Sequence, residues 1–253
     1  MRLTLERLSQ WAAALGGWLF GQANAWGFGS SGMRVWLPEG ITTTAPEIDR
    51  LFYLVLWITG IVFVLVEATL LVFVVRYRRR PGRRAGYTHG NQLVEIVWTL
   101  IPALLLIFLT IHSQRVWSKV RGTPPPPDLE VEITAEQFAW NIRYAGADGL
   151  FNSSDDITTI NQLHLPVNRT VLVHLKSKDV IHSFFVPQFR IKQDAVPGIT
   201  GRLWVSATTS GHFEIACAEL CGLGHYRMRG FLVIEPAEMF QAWLSEQLAE
   251  QQS

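Results

Sequence analysis

Two long apolar runs constrain this chain more than anything else in it. The first, residues 51–75 (LFYLVLWITGIVFVLVEATLLVFVV), is broken by a single charge, Glu67. At about 1.5 Å per residue it reaches across a bilayer core of about 30 Å with some tilt. The second, residues 93–111, is shorter, with Glu95 near its start and Pro102 in its middle. A buried core helix is the competing reading for that run. Spanning is preferred because Glu67 needs a neighbour, and because a proline in a spanning helix is tolerated where other helices pack beside it. Glu67 keeps no assigned role; an acid inside a membrane is a functional suspect by default, or faces a polar group of a neighbouring subunit.

The connection RYRRRPGRRAGYTHGNQ carries Arg76, Arg78, Arg79, Arg80, Arg83 and Arg84 and no acid. By the positive-inside rule this loop is cytoplasmic and both chain ends lie outside. The expectation is a two-helix transmembrane hairpin over 51–113, preceded by an exterior segment over 26–50. Residues 1–25 form a candidate signal peptide: Arg2 and Arg7, then WAAALGGWLFG, then Ala23-Asn24-Ala25 as an A-x-A pattern. Net charge of +1 gives no sign of a nucleic-acid partner, and no nucleic-acid-binding motif is present.

Past the hairpin the composition changes. A linker over 114–128 ends in Pro124 to Pro127, a stiff extended spacer. Short alternating runs follow at 129–134, 137–144, 170–175, 202–207, 212–217 and 231–235. Their spacing predicts an all-β antiparallel sandwich or barrel over 129–236. From Pro236 on, Met239, Phe240, Trp243, Leu244 and Leu248 recur at helical spacing, predicting a packing helix over 237–253.

The only two cysteines stand together in CAELCGLGHYRM, as Cys217 and Cys221, with His225 and Met228 close behind. On the exterior side thiols tend to oxidise, so a disulfide is one reading. It would close a very short loop, which removes little entropy from the unfolded chain and invites strain. Zinc is a second reading, since cysteine and histidine both suit it. A thioether beside thiolates and imidazole suits copper better. Two thiolates can bridge two copper ions, each then needing one imidazole and one weak axial donor. Six other histidines, His89, His112, His164, His174, His182 and His212, are available, and spacing does not choose among them. His89 lies on the cytoplasmic side.

The segments CAELCGLGHYRM (217–228), DVIHSFFVPQFRIKQDAVPG (179–198) and NQLVEIVWTLIP (91–102), with the hairpin before a β domain, resemble subunit II of haem–copper cytochrome c oxidases over nearly the whole chain. That resemblance implies a cupredoxin-like fold and a dinuclear copper centre, CuA. Cys217 and Cys221 would bridge the metals, His182 and His225 would be terminal ligands, and Met228 and the backbone carbonyl of Glu219 would be weak axial donors. The Glu219 side chain would help hold a magnesium ion shared with subunit I. Glu95 matches a glutamate at the entrance of a proton pathway; a headgroup-level anchor is its plainer reading. The implied setting is a bacterial-type inner membrane, with subunit I and other oxidase subunits as partners and a c-type cytochrome as electron donor.

The chain departs from the family at one informative place. Where relatives commonly read QWYW, it reads Gln137-Phe138-Ala139-Trp140, so the usual entry tryptophan is Phe138 here. Trp140 is the other candidate for electron entry, and both fall on one face of the expected strand, where core packing is an equal reading. Lys178 beside Asp179 weakens a simple acidic docking patch, to which Asp148, Asp155 and Asp156 are candidate contributors. No CxxCH sequence is present, so no fused cytochrome domain is expected. Competing functions are a quinol-oxidase subunit II, whose relatives have lost the copper ligands kept here, a membrane-anchored copper carrier or assembly factor, and a metal-free sandwich held by a disulfide.

Overall fold

The computed structural model describes residues 37–252 other than 85 and 147. The candidate signal peptide therefore lies outside the described residues, as does the exterior segment up to residue 36.

Helix α1 runs Ala45–Tyr77 and α2 runs Gln92–Arg121. A proline opens α1, with Glu47 in its first turn and Arg76 in its last, so proline geometry and charge both favour the two ends. The Asn91 side chain caps α2, accepting from the N–H groups of Leu93 and Val94 at 3.0 and 3.3 Å. Hydroxyls along both helices fold back onto carbonyls one turn earlier, Thr59 onto Val55, Thr69 onto Leu65 and Thr110 onto Leu106, at 2.7–2.8 Å. Both helices are long and apolar enough to cross a bilayer. Among the described residues Glu67 has no partner, so α2 does not supply the neighbour invoked for it.

Both helices outrun the apolar runs that announce them. Residues 114–121, expected as linker, are the last turns of α2. Val116 is buried there and Arg121 is bonded to the β domain, so tertiary contacts hold this polar stretch helical. Only 122–128 remains as an extended strap.

Ten strands follow: β1 Leu129–Glu136, β2 Ala139–Tyr144, β3 Ile157–Ile160, β4 Gln162–Pro166, β5 Thr170–Ser177, β6 His182–Val186, β7 Ile191–Ala195, β8 Gly201–Ser206, β9 Gly211–Cys217 and β10 Arg229–Glu235. They form two five-stranded sheets, ordered β3-β2-β1-β5-β8 and β4-β10-β9-β6-β7. The sandwich is mixed rather than antiparallel, because β1 runs parallel to β5 and β4 parallel to β10. A parallel neighbour needs a long crossover, and the excursions of the chain between sheets provide it. Alternating inward residues from both sheets fill one core, including Ile133, Trp140, Ile142, Leu163, Val173, Phe184, Ile215 and Leu232.

Helix α3, Ala237–Gln252, lays Phe240, Trp243, Leu244 and Leu248 on that core. Met239, expected in the same stripe, faces solvent instead. Trp243 stacks on His164 at 3.9 Å and meets Tyr144 edge-on at 5.4 Å.

Candidate metal centre

The β6–β9 pairing builds the site. Phe184 on β6 faces Cys217 on β9, which sets the start of β6, His182, beside the loop that leaves β9. The Ala218 N–H donates to the Ser183 carbonyl at 3.0 Å, and the Cys217 N–H to the Met228 carbonyl at 3.2 Å, closing the base of the loop. Within it a short turn of 3-10 helix, His225–Arg227, returns the chain to β10. Gly222 has φ +134, backbone that a side chain rarely adopts, and Gly224 lies flat under the Phe138 ring.

Five side chains converge there. Cys217 Sγ lies 3.8 Å from Cys221 Sγ and 4.0 Å from His182 Nδ1. Cys221 Sγ lies 3.7 Å from both His225 Nδ1 and Met228 Sδ. The Cys217 thiol donates to the Glu219 carbonyl at 3.2 Å, so that backbone oxygen joins the cluster while its carboxylate is exposed. Both cysteines are free. His182, Cys221 and Met228 are buried, and His225 is half-buried. Burial pushes the Cys221 thiol up to about 11, with neighbouring Cys217 adding to the shift. Any metal bound here must displace that proton. Three soft sulfurs, two imidazole nitrogens and a carbonyl in one cluster form a donor set that suits copper.

Two residues that spacing arguments did not single out as site builders hold this arrangement. Asp179 Oδ1 lies 2.8 Å from His182 Nε2, so Nε2–H donates to the carboxylate and Nδ1 is left bare toward the sulfurs. Asp179 Oδ2 accepts the Gln137 N–H at 2.8 Å, and Gln137 Nε2 donates to the Cys221 carbonyl at 2.5 Å. Partial burial raises the Asp179 carboxyl, but hydrogen bonds from His182, Gln137 and Val180 outweigh it and hold the group below its ordinary value. The available signal was an aspartate three residues before a histidine, in DVIH.

Phe138 and Trp140 do not share a strand face. Glu136 pairs with Ala139, so Gln137 and Phe138 form the tip of the β1–β2 hairpin. Phe138 is 37% exposed and packs on Gly222 and Gly224 of the ligand loop. Trp140 is fully buried, edge-on to Phe184 at 5.7 Å and to His182 at 6.3 Å. Beside the tip, Lys178 pairs with Glu136 at 2.6 Å. Asp148, Asp155 and Asp156 follow the far end of β2, six residues or about 17–20 Å away, so they cannot ring this tip. Asp156 there pairs with Arg143 at 3.4 Å.

The remaining histidines lie elsewhere. His164 sits 2.9 Å from Glu235, His174 lies 2.7 Å from Glu130, and His112 stacks on Phe108 within α2. Glu95 is exposed in the first turn of α2, far along the hairpin from the cluster, where a negative charge favours the helix end.

Comparison with known proteins bears on both halves of the chain. The profile of cytochrome c oxidase subunit II, periplasmic domain, matches residues 135–236, and that of its transmembrane domain matches 30–116. An alternative cytochrome c oxidase subunit 2 from Bradyrhizobium diazoefficiens is 34% identical, over 84% of this chain and 83% of its own. The chain belongs to the cytochrome c oxidase subunit II family. A cytochrome c oxidase subunit 2 from Thermostichus vulcanus is 31% identical, over 82% of this chain and 77% of its own. Among solved structures, the periplasmic domain of subunit II of cytochrome oxidase from Bradyrhizobium japonicum is similar at 26% identity and TM-score 0.46, covering 51% of this chain and 99% of that one. As a subunit II the chain is a two-span membrane protein and one component of a cytochrome c oxidase, a family that implies copper.

Proposed function

We propose that this chain takes electrons from a c-type cytochrome on the exterior side of the membrane and passes them to haem in subunit I. Oxygen reduction to water and proton pumping then take place in the larger complex. His182, Cys217, Cys221, His225, Met228 and the Glu219 carbonyl would hold two copper ions. Such a pair supplies one-electron chemistry with little change in bond length, hence at low reorganisation cost.

The chain's own residues contribute stiffness and order. Strands β6 and β9 fix His182 and Cys217 to one sheet, and Asp179 holds the imidazole in one tautomer. The Gln137 amide ties the hairpin tip to the Cys221 carbonyl. Phe138 is the electron-entry residue, since it is both exposed and packed on the ligand loop. Trp140 lies beneath as an inner contact of His182, not as a surface docking group. The exposed Glu219 carboxylate would share a magnesium ion with subunit I, and Glu95 would stand at a proton entrance on the cytoplasmic side. The arginine-rich loop supports that orientation, with the β domain outside.

The observation that carries the reading is the convergence of five soft and imidazole donors, three of them buried, in one strand-anchored cluster. A carrier that must release its metal is poorly served by donors so enclosed. A quinol-oxidase subunit would have no use for the complete set.

The test is rapid mixing of the whole oxidase, with and without Cys221→Ser, against reduced cytochrome c. The variant should fail to oxidise the cytochrome while haem reduced by a small chemical reductant still reacts with oxygen. Wild-type turnover with cytochrome c in the variant would contradict the proposal.

A further inference from the structure

The β domain is joined to the membrane by more than its extended strap. One short stretch, residues 188–193, receives both spanning helices. On the α1 side, Arg190 Nε and Nη2 donate to Asp49 Oδ1 and Oδ2 at 2.6 and 3.1 Å, a two-pronged pair with the arginine side chain almost wholly buried. The Ile41 N–H donates to the Gln188 carbonyl at 3.1 Å just ahead of that helix. On the α2 side, Arg121 donates from Nη1 to Gln193 Oε1 at 2.6 Å and from Nη2 to the Lys192 carbonyl at 2.9 Å. Lys119 and Glu47 tie the two helices together at 2.7 Å. From these contacts an open groove of about 820 Å³ runs between the helices, lined by Arg121, Arg190 and Lys192 at one end and by Leu51, Val55 and Leu106 further along. The outer ends are held instead by the β domain, through these polar contacts together with burial of Ile41, Ala45 and Val116 and the Thr42–Ala207 backbone bridge.

Arg190 also holds left-handed backbone, φ 60 and ψ 25, with its Nη1 donating to the Pro187 carbonyl at 2.7 Å. A residue with a side chain is retained in such backbone where its surroundings over-determine it. From this corner the register runs straight to the donor cluster. Gln193 on β7 faces Phe184, Asp194 faces Ser183 and Ala195 faces His182. Ser183 donates to Asp194 at 2.7 Å while its carbonyl accepts the Ala218 N–H of the ligand loop. Two residues, roughly 7 Å of strand, separate the Arg121 contact from the partner of His182.

We infer that Arg190 and Arg121 are positioning residues: together with Asp49 they brace the donor cluster at a fixed height and tilt over the membrane, and so set the separation from haem in subunit I. The inference rests on the proposed electron-transfer function. Without the brace the strap 122–128 and the backbone ties of residues 41–43 to 206–208 would still hold the sheet to the hairpin, but the 188–193 corner that leads to the donor cluster would be free to tilt.

Two variants in the whole oxidase test it. Arg190→Gly removes the guanidinium yet suits left-handed backbone, so the corner keeps its shape. Asp49→Asn acts from the helix side and leaves the β domain untouched. In both, the copper spectrum and copper content should stay as in wild type. Electron transfer from the site to haem, after photochemical injection, should slow roughly tenfold, short of the ~100-fold that a 1 Å misplacement costs a bond-making step. Backbone amides of 188–195 should exchange with solvent faster. An unchanged transfer rate, or a fall only in proportion to lost copper, would overturn the inference, as would unchanged amide exchange. If the wild-type oxidase held no copper, the proposed function would fail, while the amide-exchange arm would still judge the brace by itself.

Discussion

Asp179→Asn isolates what holds His182 in place. The carboxylate accepts two hydrogen bonds, from His182 Nε2–H and from the Gln137 N–H, each at 2.8 Å. Asparagine offers one oxygen and one NH2 group in the same shape, so either His182 or Gln137 is left facing a donor. A hydrogen bond to a charged group contributes about 1.5–3 kcal/mol. The Asp179 side chain is 30% exposed, which places its bond to His182 toward the lower end, about 1.5 kcal/mol, or about tenfold in copper affinity. The range for such outer partners of a metal ligand is about 10–100-fold. Loss of a nearby negative charge also disfavours the oxidised, more positive state, so the reduction potential should rise; about 59 mV corresponds to tenfold for one electron. The assay is copper competition against a chelator of known affinity with the full-length chain in detergent, paired with a redox titration. Affinity and potential both matching wild type would refute the reasoning, because the imidazole would then need no help in presenting Nδ1.

Three further perturbations follow from the same geometry. Gly224→Ala would place a methyl within 2.5–2.8 Å of three Phe138 ring atoms; overpacking of this kind costs about 1–3 kcal/mol, seen as a lower melting temperature that Phe138→Ala restores in the double variant. Phe138→Ala alone should slow oxidation of reduced cytochrome c with the copper spectrum retained, and Phe138→Trp should keep the rate, as stopped-flow mixing would show. Asp179 has a folded-state pKa below its ordinary 3.8, so its contribution to stability is full above 3.8 and lost as pH falls through the lower folded value. Thermal unfolding of the metal-free chain should show a smaller acid loss in Asp179→Asn than in wild type.

The sequence reveals elements where one physical signal dominates and misses them where contacts decide. Apolar length marks both spanning helices, yet not the last turns of α2, which depend on Val116 burial and the Arg121 contact. Alternation finds six strands and misses β3, β4, β6 and β7. Of these, β6 (HSFFV) is buried at four of its five positions, so little polar–apolar alternation survives to be read. Local spacing brings Cys217, Cys221, His225 and Met228 together before any fold is known. His182 is 35 residues from Cys217 and becomes a neighbour only through β6–β9 pairing, so resemblance alone could point to it. The expectation that Phe138 and Trp140 share one strand face is overturned for a definite reason. A period-two argument assumes a continuous strand, and the hairpin turn at Gln137 and Phe138 breaks it, sending one ring outward and the other into the core.

The most direct test of the central claim is to count copper and record the electron paramagnetic resonance spectrum of the full-length chain, purified in detergent and loaded under reducing conditions. Two coppers per chain, with one unpaired electron shared over both nuclei, is the predicted result. A single copper, or none with a Cys217–Cys221 disulfide that copper does not displace, would contradict it.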